Sequence, residues 1–126
     1  MLKKTINFVD YEGVERTEDF YFNLTKTELT QMELSVPGGL LKTIEKIVMT
    51  KDNGKLIELF DTVLEKAYGI KSPDGRRFVK TEGLYAEFKQ TLAYDELFVE
   101  FFTKEGAAVA FFNGILPQLP TTPPES

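Results

Sequence analysis

The carboxylates Asp95, Glu96 and Glu100 come nearest in this chain to a catalytic arrangement. Glu96 and Glu100 are four residues apart, so on a helix they lie on one face and form a pair of the kind that does general acid/base work. Such work needs a pocket that gives the two groups unequal pKa values. The aromatic residues that alternate with them predict an amphipathic helix instead, and we interpret the carboxylates as its solvated face.

Other patterns that could carry chemistry are incomplete. The sequence Asp52-Asn53-Gly54 begins like a calcium loop but lacks the glutamate that would supply the bidentate ligand. Neither GxxxxGKS/T nor GxGxxG occurs, so a nucleotide-phosphate loop has no support. The chain contains no His and no Cys, which excludes a Ser-His-Asp triad, a thiolate nucleophile and a cysteine zinc site. We predict a protein that is not an enzyme and holds no cofactor or metal.

The charge balance disfavours two classes of partner. The 126 residues carry 15 Lys and Arg against 20 Asp and Glu, a formal net charge of −5. Nucleic-acid binding draws affinity from neutralised phosphates, so we expect none here. The longest apolar run, residues 106–112, is far below the ~20 residues that span a bilayer. No apolar segment follows Lys3 and Lys4 to make a signal peptide, so we expect a cytoplasmic protein without membrane contact.

A basic cluster surrounds a predicted turn. The sequence SPDG at residues 72–75 has the residue types of a type I turn, within a hinge-like segment over residues 68–80. The cluster forms either a solvated loop or a contact for an acidic partner. Its members are Lys71, Arg76, Arg77 and Lys80.

The first predicted element of the fold is a β-hairpin. Apolar and polar residues alternate over about residues 2–22, and Gly13 suits the loop between two strands because it takes a positive φ at little cost. A two-stranded hairpin alone is marginal in water, so its apolar face must be covered. That face carries Ile6, Phe8, Phe20 and Phe22.

The period of the apolar residues then becomes helical. Thr25 and Glu28 fit a capping box, Pro37-Gly38-Gly39 interrupts the pattern, and Asp52 or Asn53 caps a later helix that Gly69 ends. We interpret the apolar residues at helical spacing as core-facing stripes. These stripes include Leu29, Met32, Leu34, Ile44, Ile47, Leu56, Ile57, Phe60 and Val63.

These elements predict an α+β fold. The N-terminal β-hairpin is followed by a mainly helical part, over about residues 25–116, with about five or six helices. A chain of this length suits a single domain, which we place at residues 1–116. Residues 117–126 contain four prolines and are predicted to be a flexible, disordered tail.

Phenylalanine is the unusual component of the composition. Seven of the 11 Phe lie between Phe78 and Phe112, and the pairs Phe101-Phe102 and Phe111-Phe112 are adjacent in sequence. Adjacent helix positions are about 100° apart, so only a broad apolar stripe buries both members of a pair. Either the helices wrap the hairpin and both members are core, or some rings remain exposed as a protein-binding patch.

Three segments resemble the tail assembly chaperones of long-tailed, siphovirus-type phages and prophages. They are YGIKSPDGRRFVK at residues 68–80, AYDELF at residues 93–98 and AFFNGILP at residues 110–117. The resemblance covers roughly residues 40–117, and its most specific parts are the first and last segments. The hairpin and the Pro-rich tail add little to it.

The resemblance implies a non-structural assembly factor. Proteins of this family bind the long, helical tape measure protein, keep it soluble and help tail tube subunits polymerise around it. A longer, frameshifted product recruits the tail tube protein. The resemblance therefore implies two partners, the tape measure protein and, through a longer form, the tail tube protein. It also implies a location in the host cytoplasm and absence from the mature virion.

The aromatic excess suggests where such a client binds. A chaperone for an apolar helix needs a groove that accepts anchors at i, i+3, i+4 and i+7. We predict that some of Phe98, Phe102, Phe111 and Phe112 contact the client. An aromatic surface also makes a homo-oligomer plausible.

Two other functions are alternatives to that of a tail assembly chaperone. A virion structural adaptor of the head–tail region is the main alternative, and it would be present in purified virions where a chaperone is absent. An acidic DNA mimic is disfavoured, because its carboxylates would form a dense array whereas here they alternate with 15 basic residues.

Overall fold

The predicted hairpin is joined to a second, shorter one in a four-stranded antiparallel sheet. The computed structural model describes residues 1–116, apart from the side chain of Leu41. The strands are β1 (Leu2–Val9), β2 (Glu15–Phe22), β3 (Tyr68–Lys71) and β4 (Phe78–Val79), and they lie in that order in the sheet. The helices in this part of the chain are α1 (Lys26–Ser35), α2 (Leu40–Thr50), α3 (Asn53–Ala67), α4 (Leu84–Lys89), α5 (Leu92–Thr103) and α6 (Ala107–Ile115). The α+β class is thus confirmed; the predicted tail at 117–126 lies outside the described residues.

The β1–β2 hairpin has the predicted alternation. Leu2 pairs with Phe22, and the register continues without interruption to the loop. On the predicted apolar face Ile6 and Phe22 are buried, while Phe8 and Phe20 are half-buried against the core. Helices cover this face. The ring centroids of Phe20 and of Phe88 in α4 are 5.0 Å apart.

Local signals set the beginnings of the helices. The Thr25 hydroxyl accepts the amide of Glu28 at 3.1 Å, and the Glu28 carboxylate accepts the amide of Thr25 at 2.9 Å, so the predicted capping box is present. Helix α1 ends before Pro37, and α2 begins after Gly39, whose φ of 91° favours glycine. Asp52 caps α3 by accepting the amide of Lys55 at 3.2 Å.

The segment at residues 68–80 is a strand pair and not a hinge. Its predicted turn is present, with the Gly75 amide donating to the Ser72 carbonyl at 2.9 Å, but β3 and β4 flank it. Helix α3 ends at Ala67, so Gly69 is not the helix stop that the sequence predicted. Gly69 lies in β3, where a Cβ atom would come within 2.7 Å of the Phe78 ring. Its role is therefore to let the two strands approach closely.

Two residues of the predicted core stripes are exposed. Leu34 of α1 and Ile57 of α3 both project into solvent. Helical spacing identifies the side of a helix on which a residue lies, but the breadth of the buried stripe depends on neighbours that are distant in sequence. The other predicted stripe residues pack in one apolar cluster that includes side chains of the hairpin and of all six helices described.

Phe60 of α3 lies at the centre of this cluster. Its ring centroid is within 4.3–6.3 Å of five other aromatic rings. Tilted and edge-to-face pairs of this kind add about 0.5–1.5 kcal/mol each beyond their buried area. Phenylalanine rings therefore form a large part of the hydrophobic core. The five rings are those of Tyr94, Phe98, Phe101, Phe102 and Phe111.

Candidate partner-binding surface

Phe98 and Phe102 form a pair of half-buried rings on α5. They are one helical turn apart, and their centroids are 4.6 Å from each other. Each also packs edge-on against Phe60, at 5.8 and 5.7 Å. The pair therefore contributes to the core and still leaves part of each ring at the surface.

Phe111 and Phe112 of α6 lie in the core. They are only 5 % and 1 % exposed, and their centroids lie 5.5 and 5.4 Å from that of Phe101. Phe111 also touches Phe22 of the hairpin at 5.4 Å. Contact of either whole ring with a client would require α6 to leave the core. Burial of adjacent residues is possible because α6 packs against both α5 and β1.

An apolar cleft lies between α6 and α2, and we call it the α2–α6 cleft. Its volume is about 440 Å³. Phe112 lines it, so one predicted residue forms part of its interior surface. Met49 is 76 % exposed at its rim, and Val109 is also exposed. The apolar residues of the cleft are Ile44, Val48, Met49, Val109, Phe112 and Leu116, with Glu45 and Asn113 beside them.

The sequence reasoning missed this cleft although its signal was present. Ile44 and Val48 are four residues apart, and Val109, Phe112 and Leu116 follow the i, i+3, i+7 spacing of a helix face. That spacing is the same for a core stripe and for a groove wall. Only the relative position of α2 and α6 shows that these stripes stop short of each other.

The basic cluster divides into an internal tether and a surface group. The Lys80 ammonium donates to the carbonyls of Asn23 and Lys66, both at 2.7 Å, and to both Glu28 carboxylate oxygens at 2.8 Å. Lys71 lies over the Tyr21 ring at 5.0 Å. Lys80 is thus part of the scaffold, whereas the neighbouring arginines are exposed.

The carboxylates of α5 differ in their surroundings. Glu100 binds Lys4 of β1 at 2.5 Å, while Asp95 and Glu96 are exposed. The ion pair fastens α5 to β1, so Glu100 is only partly exposed, whereas Asp95 and Glu96 lie on the solvated helix face that the sequence predicted.

A second polar network joins α3 to α4. Asp61 accepts hydrogen bonds from the Tyr85 hydroxyl at 2.8 Å and from Lys89 at 3.1 Å. Partial burial acts to raise the pKa of Asp61, but these two hydrogen bonds outweigh it and the pKa lies below its ordinary value. Burial, together with the bond to Asp61, raises the pKa of Tyr85. Both shifts hold the groups in their ordinary charge states at neutral pH, which suits a structural link better than proton transfer.

Two further site types lack support in the described part of the chain. No group of three or more Asp, Glu, His or Cys side chains there is placed to hold a metal ion. No helix within residues 1–116 is long and apolar enough to cross a membrane.

A sequence profile described as phage tail assembly chaperone matches residues 1–119. The chain belongs to the phage tail assembly chaperone family. No curated protein and no solved structure matches it.

The family match covers more of the chain than the resemblance did. It covers the β1–β2 hairpin of this tail assembly chaperone as well as the helices, although the hairpin contributed little to the resemblance. The segment at residues 68–80 is the β3–turn–β4 unit, and the last segment begins within α6. In α6, a Cβ atom at Gly114 would lie 2.9 Å from Leu2, so this glycine allows α6 to approach β1.

Proposed function

We propose that this chaperone binds an amphipathic helical segment of the tape measure protein in the α2–α6 cleft. Binding keeps the client soluble and promotes polymerisation of the tail tube around it. The observation that carries the proposal is an open apolar cleft bordered by the exposed side chains of Met49 and Val109. Family membership supplies the class of function.

The shape and chemistry of the cleft suit a helix. Two helices form its walls, and a third helix laid between them buries apolar anchors at i, i+3, i+4 and i+7. Exposed apolar side chains such as Met49 gain most from such burial, at roughly 25 cal/mol per Å² of apolar surface. Methionine also adapts to clients of varied sequence because its side chain is unbranched and flexible.

The predicted phenylalanines take different parts in this proposal. Phe112 supplies the floor of the cleft, and Phe111 packs behind it. Phe98 and Phe102 offer the half-buried edges of their rings on α5 as a second contact. The net charge of −5 favours solubility of the loaded complex.

The wider role follows the family. We propose that the protein acts in the host cytoplasm, that a longer frameshifted form recruits the tail tube protein, and that neither remains in the mature virion. Mass spectrometry of purified virions tests the last point. A stoichiometric amount of this chain in virions would favour a structural adaptor and refute the chaperone role.

The cleft itself is tested by co-purification with the tape measure protein. The double variant Met49→Glu/Val109→Glu places charges at two exposed positions, so folding should be retained while co-purification is lost. Leu34→Glu is the matched control, because it makes the same kind of change at an exposed apolar residue of α1 outside the cleft. Equal loss in the control, or undiminished binding by the folded double variant, would exclude the α2–α6 cleft as the site.

A further inference from the structure

The tip of the β1–β2 hairpin extends beyond the rest of the sheet. β2 pairs with β3 only at Tyr21 and Phe22, and every residue from Tyr11 to Asp19 is exposed. We call residues 9–19 the arm. An apolar group at its end, Tyr11, is 76 % exposed, and Val14 beside it is also exposed. These side chains give the tip of the hairpin an apolar surface that a partner would cover on binding.

The arm is held in one conformation by Asp10. The Asp10 carboxylate accepts the amides of Glu12 at 2.8 Å and Val14 at 3.0 Å, and the Arg16 guanidinium at 2.5 Å. The Asp10 amide in turn donates to the Val14 carbonyl at 2.9 Å. A loop fixed in this way presents Tyr11 at little entropic cost, as a binding element requires.

The arm is strongly acidic. Residues 10–19 contain five carboxylates and one arginine, a net charge of −4 out of the total of −5. The arm therefore presents a dense group of carboxylates, although residues 82–100 carry the same net charge of −4.

A basic cleft lies elsewhere on the same chain. It has a volume of about 390 Å³ and lies between the start of α2 and the start of α3. Lys42, Lys46 and Lys55 line it, with Pro37 and Ile47 as apolar surface. None of the three lysines is within ion-pair distance of a carboxylate in the described residues; Asp52, which also lines the cleft, caps α3. We call this the lysine cleft.

We propose that the arm of one copy docks in the lysine cleft of a second copy, with Tyr11 entering the cleft and Glu12 and Glu15 facing its lysines. Two copies of an acidic chain repel each other in most orientations, and this one brings their opposite charges together. Tyrosine is frequent among the residues that dominate binding energy at interfaces. Because the two surfaces differ, the contact is head-to-tail and leaves a free arm and a free cleft for further copies. It does not depend on tape measure binding.

Sedimentation velocity of paired variants tests the proposal. The arm variant Tyr11→Ala/Glu15→Lys keeps its cleft, and the cleft variant Lys42→Glu/Lys46→Glu keeps its arm. All four positions are exposed, so circular dichroism should show both variants folded. Each alone should associate about tenfold or more weakly than the wild type. Mixed together they should form a 1:1 complex, because one intact arm meets one intact cleft.

Several results would overturn the head-to-tail contact. A wild-type chain that remains monomeric up to its solubility limit would do so, as would mixed variants that fail to combine while the wild type associates. Lys26→Glu reverses an exposed charge of α1 outside the cleft and serves as the control; an equal effect there would also contradict the proposal. Raising NaCl from about 0.1 to 1 M, which shortens the screening length from ~10 to ~3 Å, should weaken wild-type association.

Discussion

The Lys80 ammonium joins three parts of the fold, and its removal measures what that junction contributes to stability. It binds the carbonyl of Asn23 at the end of β2, the carbonyl of Lys66 in the last turn of α3, and the Glu28 carboxylate in the first turn of α1. The substitution Lys80→Met keeps the length and apolar stem of the side chain. It removes only the charge and its donors.

The expected cost follows from burial and the number of partners. The Lys80 and Glu28 side chains are 21 % and 33 % exposed, so the contribution of the pair to stability lies between those of an exposed and a buried ion pair. An exposed pair contributes about 0–1 kcal/mol, whereas breaking a buried pair costs about 3–5 kcal/mol. Two carbonyls also lose a charged donor, which water replaces in part. We expect Lys80→Met to lower the free energy of unfolding by about 2–3 kcal/mol, and the melting temperature by roughly 6–15 °C.

Urea unfolding at pH 7 and at acidic pH provides the assay. Partial burial acts to raise the pKa of Glu28, but hydrogen bonds from Lys80 and from Thr25 keep it below the ordinary value of 4.5. A lowered pKa stabilises the fold above pH 4.5, and that contribution is lost as pH falls through the lowered pKa. The deficit of Lys80→Met should therefore shrink in acid.

The matched control is Lys26→Met, which changes an exposed lysine of α1 and should alter stability by less than about 0.5 kcal/mol. If Lys80→Met matched the control at pH 7, the junction would contribute no stability. A deficit that stayed constant into acid would rule out the Glu28 ion pair as its cause.

Two further substitutions test the packing of the fold by urea unfolding. Phe112→Ala should cost about 3–5 kcal/mol because the ring is fully buried, and the half-buried Phe102→Ala should cost clearly less; equal losses would contradict the assigned burial. Gly69→Ala should cost about 1–3 kcal/mol, since its Cβ atom would meet Phe78 at 2.7 Å. Gly54→Ala in α3 meets nothing closer than 3.7 Å and should be stabilising; destabilisation at both glycines would refute the close-approach argument.

Features specified by neighbouring residues were predictable from the sequence. The Thr25–Glu28 capping box needs only a four-residue segment, and the turn at residues 72–75 is equally local. The hairpin follows from its alternation because its two strands are adjacent in sequence. Each of these interactions forms between groups that the sequence already places close together.

Features that depend on distant neighbours were not predictable. β3 has only four residues, and it belongs to the sheet because Tyr21 pairs with Gly69 across more than forty positions. β4 has two residues and pairs with β3. The role of Lys80 likewise depends on partners in β2, α1 and α3. For Phe111 and Phe112 the sequence left core and contact as alternatives, and the burial of both rings follows only from the packing of α6.

The two proposed surfaces use different faces of α2, and this separation has a consequence for assembly. Glu45 and Met49 face the α2–α6 cleft, whereas Lys42 and Lys46 face the lysine cleft. A client helix in the first cleft therefore leaves the second one open to the arm of another copy. Chaperones joined head-to-tail would then cover a long helix at successive sites, and each added contact would raise the effective concentration of the next. Variants of the lysine cleft should accordingly bind a short client peptide normally but bind the full-length tape measure protein less tightly, whereas variants of Met49 should lose both.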